Sequence, residues 1–232
     1  MKRGSMKPPG TMPPPNFNRL ALPYKWMELA SFGPWLWRCR CAFLDDLSAC
    51  RNALILGDGD GRFTARLLRK NPAVQIDAVD ASQTMLQALS RATCDQSDRV
   101  RLHLADARLF NPPRPPYDLV VTHFFLDCLT SEEVAALAAR LRESATPSAL
   151  WLISEFAVPR GWFGLLIARP LIAALYFAFW LLTGLSVRRL PNHRAALMQA
   201  GFSMTRQRKW LAGLLVSELW TIDPPAADSS RS

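Results

Sequence analysis

Several features of secreted and disulfide-bonded proteins are missing from this sequence. Residues 1–16 contain prolines and basic residues but no apolar stretch, so they lack the core of a secretory signal. The five cysteines are odd in number and follow no framework spacing, which favours a reducing compartment. We therefore expect a cytoplasmic protein. Cys39 and Cys41 lie two apart on a predicted helix and face different directions, so no metal site is expected.

Acidic residues are absent from one long stretch of the chain. Between Phe156 and Ser217 there is no aspartate or glutamate. The same stretch contains eight of the basic residues: Arg160, Arg169, Arg188, Arg189, Arg194, Arg206, Arg208 and Lys209. RNA phosphate is one possible partner for this charge. Because the arginines flank apolar sequence and no basic-aromatic strand pattern is present, we do not expect nucleic acid as the partner.

An uncharged apolar block, residues 171–182, lies within this basic stretch. It is shorter than the roughly 20 apolar residues that span a bilayer. Three interpretations stay open: a buried core helix, a lid over an apolar substrate pocket that also touches lipid, and a transmembrane helix. The basic flanks favour the second, because cations beside an apolar helix attract anionic headgroups. Peripheral contact at the inner face of the membrane is therefore expected for residues 160–190.

The chain length predicts one domain. A chain of 232 residues is long enough for one well-buried domain, and half of its residues are hydrophobic. Residues 1–16 are expected to be a flexible, proline-rich basic tail, and residues 223–232 a polar tail. The predicted domain occupies residues 17–222. Its oligomeric state does not follow from the sequence.

The most informative motif lies between Leu54 and Phe63, where an apolar run ends in three glycines at alternate positions, Gly57, Gly59 and Gly61. This pattern is typical of a buried parallel strand whose end approaches a ligand, because glycine lets backbone come close to a bound molecule. Helical spacing follows the glycines, so a helix N-terminus points at the same place and favours an anionic ligand group.

The glycine spacing distinguishes between ligands. A dinucleotide fingerprint that starts at Gly57 needs glycine at position 62, where the chain has Arg62. A calcium loop is disfavoured because the third ligand and the closing glutamate are missing. A second apolar run ends in Asp80, nineteen residues after Gly61, and a carboxylate there can accept hydrogen bonds from ribose hydroxyls. A third run is followed by Asp106.

The pattern Gly-x-Gly-x-Gly with these acids resembles that of the class I methyltransferases that use S-adenosylmethionine (SAM). The chain also resembles the ubiquinone/menaquinone biosynthesis C-methyltransferases at Phe17–Tyr24, Ser31–Gly33 with Trp37-Arg38, Leu190–Asn192, Leu197–Phe202 and Gly213. That resemblance implies a Rossmann-like domain that moves a methyl group from SAM to a ring carbon of a lipid-tailed quinol. One departure is Ile55, which stands where the family usually has an acid; Asp58 or Asp60 is expected to help bind the methionine ammonium instead.

These patterns give a set of candidate site residues. Most of the cofactor residues follow the first three strands, and the set is Gly57, Asp58, Gly59, Gly61, Asp80, Ala81, Met85, Asp106, Ala107 and Thr122. His123 and Asp127 follow the fourth strand and are the catalytic candidates, with His123 either a proton acceptor for a phenol or a hydrogen-bond partner of the loop. Candidates for the substrate pocket are Phe17, Tyr24, Glu155, Tyr176 and Trp180.

The periodicity predicts alternating strands and helices. Strands are expected at 52–57, 74–79, 100–104, 118–123 and 149–154, followed by an antiparallel pair at 202–209 and 214–221. Helices are expected at 17–30, 34–48, 61–70 and 82–92, in a helix capped by Ser131, and in one that begins after Asn192. The predicted fold is α/β, with a Rossmann-like, seven-stranded, mostly parallel sheet covered by helices on both faces and a C-terminal antiparallel hairpin.

Three functions stay open on the sequence. The first is a SAM-dependent methyltransferase that acts on a small apolar, lipid-tailed aromatic acceptor. The second is a non-catalytic protein of the same fold that binds membrane or a partner through residues 160–190, and the substitution at Ile55 keeps this alternative open. The third is an RNA methyltransferase.

Overall fold

The computed structural model describes residues 32–113, 116–175 and 190–222. Within them, seven strands form one sheet: β1 (Asn52–Leu56), β2 (Gln75–Asp80), β3 (Val100–Leu104), β4 (Tyr117–His123), β5 (Ala145–Phe156), β6 (Phe202–Trp210) and β7 (Leu215–Ile222). Their order across the sheet is β3-β2-β1-β4-β5-β7-β6. The strands β1 to β5 pair in parallel, and β7 runs antiparallel to both of its neighbours. The predicted fold class is confirmed.

Helices cover both faces of the sheet: α1 (Pro34–Arg40), α2 (Arg62–Lys70), α3 (Gln83–Ala92), α4 (Ser131–Ser144) and α5 (His193–Gln199). One apolar core lies between the sheet and the helices α4 and α5, with Trp151 and Trp220 at its centre. A second core lies on the α2 face around Phe43 and Phe63. Because both faces are covered, the central strands are continuous apolar runs rather than alternating ones.

A helical segment, residues 162–175, follows β5 and contains a π-helical turn at Gly164–Ala168. Its inner side is buried at Gly164, Ala168 and Ile172, and the last two belong to a third apolar cluster with Phe32. Its other positions are exposed and largely apolar, among them Trp162, Leu165, Leu166, Ile167 and Leu171. We call these five residues the apolar face.

Two predicted helices differ from the structure. The segment predicted as one helix at 34–48 is α1 followed by a separate 3₁₀ turn, Leu44–Leu47. Hydrogen bonds from Leu44 N to Cys41 O and from Asp46 N to Phe43 O tighten the chain there, and Phe43 and Leu47 turn into the core. The prediction that Ser131 caps α4 is wrong: the residue before it is the N-cap.

The cap of α4 is a reciprocal pair of hydrogen bonds. The Thr130 hydroxyl accepts from Glu133 N at 3.2 Å, and the Glu133 carboxylate accepts from Thr130 N at 2.9 Å. This capping box satisfies two backbone donors at the start of the helix. Thr130, and not Ser131, is the N-cap because its extended backbone and its spacing to Glu133 allow both hydrogen bonds.

Several predictions lie outside the described residues. These are the two tails at 1–16 and 223–232, the helix at 17–30, and residues 176–182 of the apolar block. Among the residues that the structure describes, no helix is both long and apolar enough to cross a bilayer.

Candidate active site

The site is built at the carboxyl ends of β1, β2, β4 and β5. The chain leaves β1 through Gly57, whose N–H donates to Val79 O at 2.9 Å, and enters α2 through Gly61, the N-cap residue with φ of 77°. A Cβ atom on Gly61 would lie 2.6 Å from the Leu89 Cα atom, so α3 and the glycine turn are in direct contact. We call residues 57–61 the glycine loop.

Asp58 is buried inside this loop. Its Oδ2 atom accepts hydrogen bonds from Thr64 N at 3.0 Å and from the Thr64 hydroxyl at 2.6 Å. Its Oδ1 atom is buried and has no hydrogen-bond partner among the described residues. Burial raises the pKa of Asp58 to about 6, against the opposing effect of the Thr64 bonds. One carboxylate oxygen is thus fixed by the protein and the other is left for a ligand.

Asp80 ends β2 beside the same loop. Its carboxylate accepts from Ser82 N at 2.8 Å. The N–H of Gly59 lies close enough to favour the charged form of this carboxylate. Burial raises the pKa of Asp80 to about 6, and the charge of Asp58 acts in the same direction. The structure therefore brings the glycine loop and Asp80 together, as the sequence pattern predicts.

Gly59 is the member of the loop that faces open space. A Cβ atom there would meet no atom within 4 Å, although φ is 68°. At Gly57 a Cβ would lie 2.7 Å from the Phe125 ring. Asp60 is engaged by Arg62, whose Nε lies 2.8 Å from an Asp60 oxygen. Beside Gly59 the loop therefore presents Asp58 and Asp80, two carboxyl groups whose raised pKa values a cationic ligand would lower.

The other predicted cofactor residues lie around this edge of the sheet. Asp106 follows β3, and Arg108 donates four hydrogen bonds to its carboxylate, three from the guanidinium and one from the backbone N–H. Although burial opposes them, these bonds hold the pKa of Asp106 below its usual range. Met85 and Ala107 are buried and Ala81 is exposed. The Thr122 hydroxyl accepts from the Trp151 indole N–H at 3.0 Å, on the α4 face of the sheet.

A turn after β4, residues 124–128, lies across the same edge. It contains a short 3₁₀ helix, Leu126–Cys128, and packs its Phe125 ring on Gly57. Burial raises the pKa of Asp127 to about 6, and the Cys128 thiol donates to Asp127 Oδ1 at 3.5 Å. Glu155 lies beneath the turn and is 1% exposed. Burial raises its pKa well above the usual value, and Asp127 acts in the same direction.

His123 lies on the opposite side of β4 from Thr122. Its ring packs edge-on against Phe63 of α2, with ring centroids 4.5 Å apart. Neither ring nitrogen has a hydrogen-bond partner among the described residues, so the expected bond to the loop is not formed there. Burial, followed by the charge of Arg40, lowers the pKa of His123 well below its usual value.

Two contacts of the site were not predicted. Thr64 fixes Asp58, and its position in the first turn after the glycine loop was the available sequence signal. Phe125 packs on Gly57, a long-range contact with no local signal. The candidates Phe17, Tyr24, Tyr176 and Trp180 lie outside the described residues. In the described ranges, no three His, Cys, Asp or Glu side chains are grouped as metal ligands.

The arrangement was compared with known families and structures. Residues 54–150, from β1 into β5, match the sequence model of one family. The match is to a methyltransferase domain. The matched residues include the glycine loop, Asp80 and the turn after β4. A comparison with the curated proteins gave no match.

Solved structures share the fold of the chain. The mitomycin 7-O-methyltransferase MmcR superposes with a TM-score of 0.64 at 15% identity, over 90% of this chain and 61% of its own. An O-methyltransferase family 2 protein from Planctomyces limnophilus, in complex with apigenin, gives 0.63 at 22% identity, over 86% and 61%. The N-methyltransferase NodS from Bradyrhizobium japonicum gives 0.57 at 11% identity, over 87% and 98%. The chain thus spans about three fifths of the two O-methyltransferases.

SAM is the cofactor that a methyltransferase domain of this kind uses. The residues present fit its charged end, because the free oxygen of Asp58 and the open side of Gly59 adjoin each other in a cluster of carboxyl groups. A sulfonium and an ammonium are the cations that such a cluster favours. The fit extends to Asp80, which ends β2 where a ribose-binding acid is expected.

Proposed function

We propose that this chain is a SAM-dependent methyltransferase that acts on a small, apolar, aromatic acceptor. The observation that carries the proposal is the position of the Asp80 carboxylate beside the glycine loop, near the unpartnered oxygen of Asp58 and the open side of Gly59. The loop and the acid of the second strand thus share one polar cleft. When bound, SAM supplies a methyl group made electrophilic by a sulfonium.

Under this proposal, different residues bind the methionine, ribose and adenine parts of SAM. Gly59 and Asp58 bind the methionine end, and Asp80 holds the ribose. Ala107 and Met85 pack beside the adenine. Asp106 contributes to this subsite while Arg108 restrains its carboxylate. Such positioning can supply roughly 7–11 kcal/mol of a methyl-transfer barrier in favourable cases.

We assign the proton acceptor to Asp127 in preference to His123. Asp127 lies on the turn over the cleft, and its pKa of about 6 allows a carboxylate at neutral pH. The buried ring of His123 faces Phe63 on the other side of β4, where Arg40 further disfavours its protonation. An Asp127→Asn variant should therefore lose more activity than His123→Gln. Equal losses would contradict the assignment.

An aromatic acceptor is supported by ring clustering beside the cleft. Phe124 follows β4 and Phe156 ends β5, and their ring centroids are 5.0 Å apart. The ring centroid of Phe32 lies 5.3 Å from that of Phe156. Such rings favour a flat apolar ligand. The Planctomyces protein named above was solved with apigenin. The finer proposal of a lipid-tailed quinol rests on the family resemblance of the sequence.

The decisive experiment measures cofactor binding and turnover separately. Calorimetry with SAM should give saturable binding that Asp80→Ala weakens and Asp98→Asn, on an exposed turn, does not. Purified protein is then incubated with methyl-labelled SAM and a whole-cell lipid extract, and label should enter organic-extractable material. Label in total RNA instead would favour the RNA methyltransferase. Binding without turnover on any extract would favour the non-catalytic alternative.

We also propose that the apolar face contacts an anionic membrane. Trp162 is 70% exposed and Leu166 is 66% exposed, and no acid offsets Arg160 and Arg169 nearby in the sequence. Vesicles containing anionic lipid should therefore bind the protein more strongly than zwitterionic vesicles do. Leu166→Ser should weaken flotation with these vesicles, whereas Met198→Ser, at a similarly exposed position on α5, should not. Equal flotation of both variants would oppose the proposal.

A further inference from the structure

The side chain of Glu155 binds the backbone of the turn after β4. Glu155 is the last residue but one of β5, and its Oε1 atom accepts from Phe125 N at 3.1 Å and from Leu126 N at 2.8 Å. One carboxyl oxygen thus binds two consecutive backbone donors of the turn. The bond from Leu126 N is buried and the bond from Phe125 N is partly buried, so loss of this acceptor would leave at least the Leu126 donor buried without a partner.

The turn needs such support because its backbone is strained. Phe124 has φ of 51°, in the left-handed region, and its N–H donates to Ser154 O at 2.7 Å. A bulky residue in this region is strained and persists only where the surroundings determine its backbone. The end of β5 supplies those surroundings, through the backbone of Ser154 and the side chain of Glu155.

The same turn contacts the glycine loop and also carries the proposed proton acceptor. Its Phe125 ring lies against Gly57, so closely that a Cβ on Gly57 would be 2.7 Å from the ring. Two residues later the turn carries Asp127. A shift of the turn would therefore move both the Phe125 ring, which packs on the glycine loop, and Asp127, the proposed proton acceptor.

We propose that Glu155 is a positioning residue that fixes the turn and, through Phe125, the cofactor-binding shape of the glycine loop. This inference rests on the proposed function, because it takes SAM as the ligand of that loop. Sequence analysis placed Glu155 in the substrate pocket; its burial and its two backbone bonds favour this indirect role instead.

The second oxygen of Glu155 indicates which substitution should preserve the role. Oε2 is buried and has no hydrogen-bond partner among the described residues. Because burial also raises the pKa of this group, a neutral side chain of the same shape is a close substitute. Glu155→Gln keeps an oxygen that can accept from Phe125 and Leu126, whereas Glu155→Ala removes it.

The test combines amide hydrogen exchange of the ligand-free protein with calorimetry. In Glu155→Ala, exchange at Phe125 and Leu126 should become at least about tenfold faster, and the Kd for SAM should rise by about the same factor. Glu155→Gln should stay within about threefold of the wild type in both measurements. Ser154→Ala is the matched control, because the hydroxyl is fully buried on the same strand and bonds to Cys39 O and Ser217 Oγ instead.

The inference fails if Glu155→Ala binds SAM as the wild type does, or if Glu155→Gln is as weak as Glu155→Ala. It also fails if Ser154→Ala weakens binding equally. Should Glu155→Ala not fold, Phe125→Ala tests the same contact with Gly57 and should weaken SAM binding about tenfold. If the wild type itself does not bind SAM, the proposed function fails, while amide exchange still decides whether Glu155 holds the turn.

Discussion

Gly57, Gly59 and Gly61 all have positive φ, yet each meets different surroundings. Phe125 covers Gly57, the α3 backbone lies against Gly61, and Gly59 faces open space. The sequence predicted the three glycines as one ligand-binding set. The structure separates two positions required for packing from one that is open to a ligand, because packing partners distant in the chain leave no mark on the local pattern.

The difference predicts opposite phenotypes for two alanine variants. Gly61→Ala should lower the free energy of unfolding by about 2 kcal/mol or more, because its Cβ would lie 2.6 Å from the Leu89 backbone. Gly59→Ala should lower the free energy of unfolding by only about 1 kcal/mol, the strain of an alanine at positive φ. Its main effect should be weaker SAM binding. Urea unfolding and calorimetry measure the two effects. If the same variant had the larger effect on both stability and SAM affinity, the distinction between packing and ligand-binding glycines would be contradicted.

The carboxyl groups of Asp58 and Asp80 predict pH-dependent cofactor binding. Each has a pKa of about 6 in the ligand-free protein, so both lose their charge as the pH falls below that value. A cationic ligand prefers the ionised groups, and SAM affinity should therefore rise between pH 5 and pH 7. Calorimetry across this range checks the trend. Asp80→Asn should flatten it and Asp98→Asn should not; a flat profile in the wild type would count against both acids.

At the scale of elements, most strand and helix bounds were predicted to within about one residue. Strand β3 has the predicted bounds, and β1, β2 and β4 differ from them by about one residue. Strand β5 is the exception, since it begins four residues before the predicted 149–154 and ends two residues after it. The cap of α4 was placed one residue too late. Thr130, Ser131 and both glutamates all suit a helix start, and only the backbone geometry decides among them.

That geometry gives a matched pair of variants on α4. Thr130→Ala should lower the free energy of unfolding by about 1 kcal/mol, because the Glu133 N–H loses its side-chain acceptor. Ser131→Ala, one residue further on, should change it by only a few tenths. Denaturant unfolding of both variants gives the comparison. Similar losses would mean that the capping box contributes little.

On the scale of the whole molecule, the sheet order could not be obtained from local pattern alone. The alternation of strands and helices favours a parallel sheet, but the placement of β7 between β5 and β6 depends on contacts between distant residues. Glu218 of β7 is one such contact. Its buried carboxylate accepts from Arg194 and His193 of α5, from Gln207 of β6 and from the Trp220 indole. No sequence pattern pointed to this group.

Glu218 predicts how the fold responds to acid. Burial alone would raise its pKa, but the bonds from its partners lower it to about 2. The folded-state value is below the unfolded one, so the stabilisation is present above about pH 4.5 and is lost as the pH falls towards 2. Glu218→Gln should therefore destabilise the protein at pH 7 and less so at pH 3.

At pH 7, Glu218→Gln should lower the free energy of unfolding by an amount near the lower end of the roughly 3–5 kcal/mol seen when a buried ion pair is broken. The lower end is expected because Arg194 is partly exposed. Urea unfolding at both pH values measures it. Glu143→Gln is the control, since Glu143 is exposed on α4. A loss that is the same at pH 3 and pH 7 would show that packing, and not charge, holds α5 on the sheet.

The helical segment after β5 has a consequence for how the chain can vary. The residues that lie against Gly57 and Gly61 are Phe125 and Leu89, and both precede the helical segment at 162–175 in the chain. Exchanging the helical segment between homologues should therefore leave both of these contacts in place. If the segment borders the acceptor, the choice of acceptor can change during evolution while the methyl-donor site is retained.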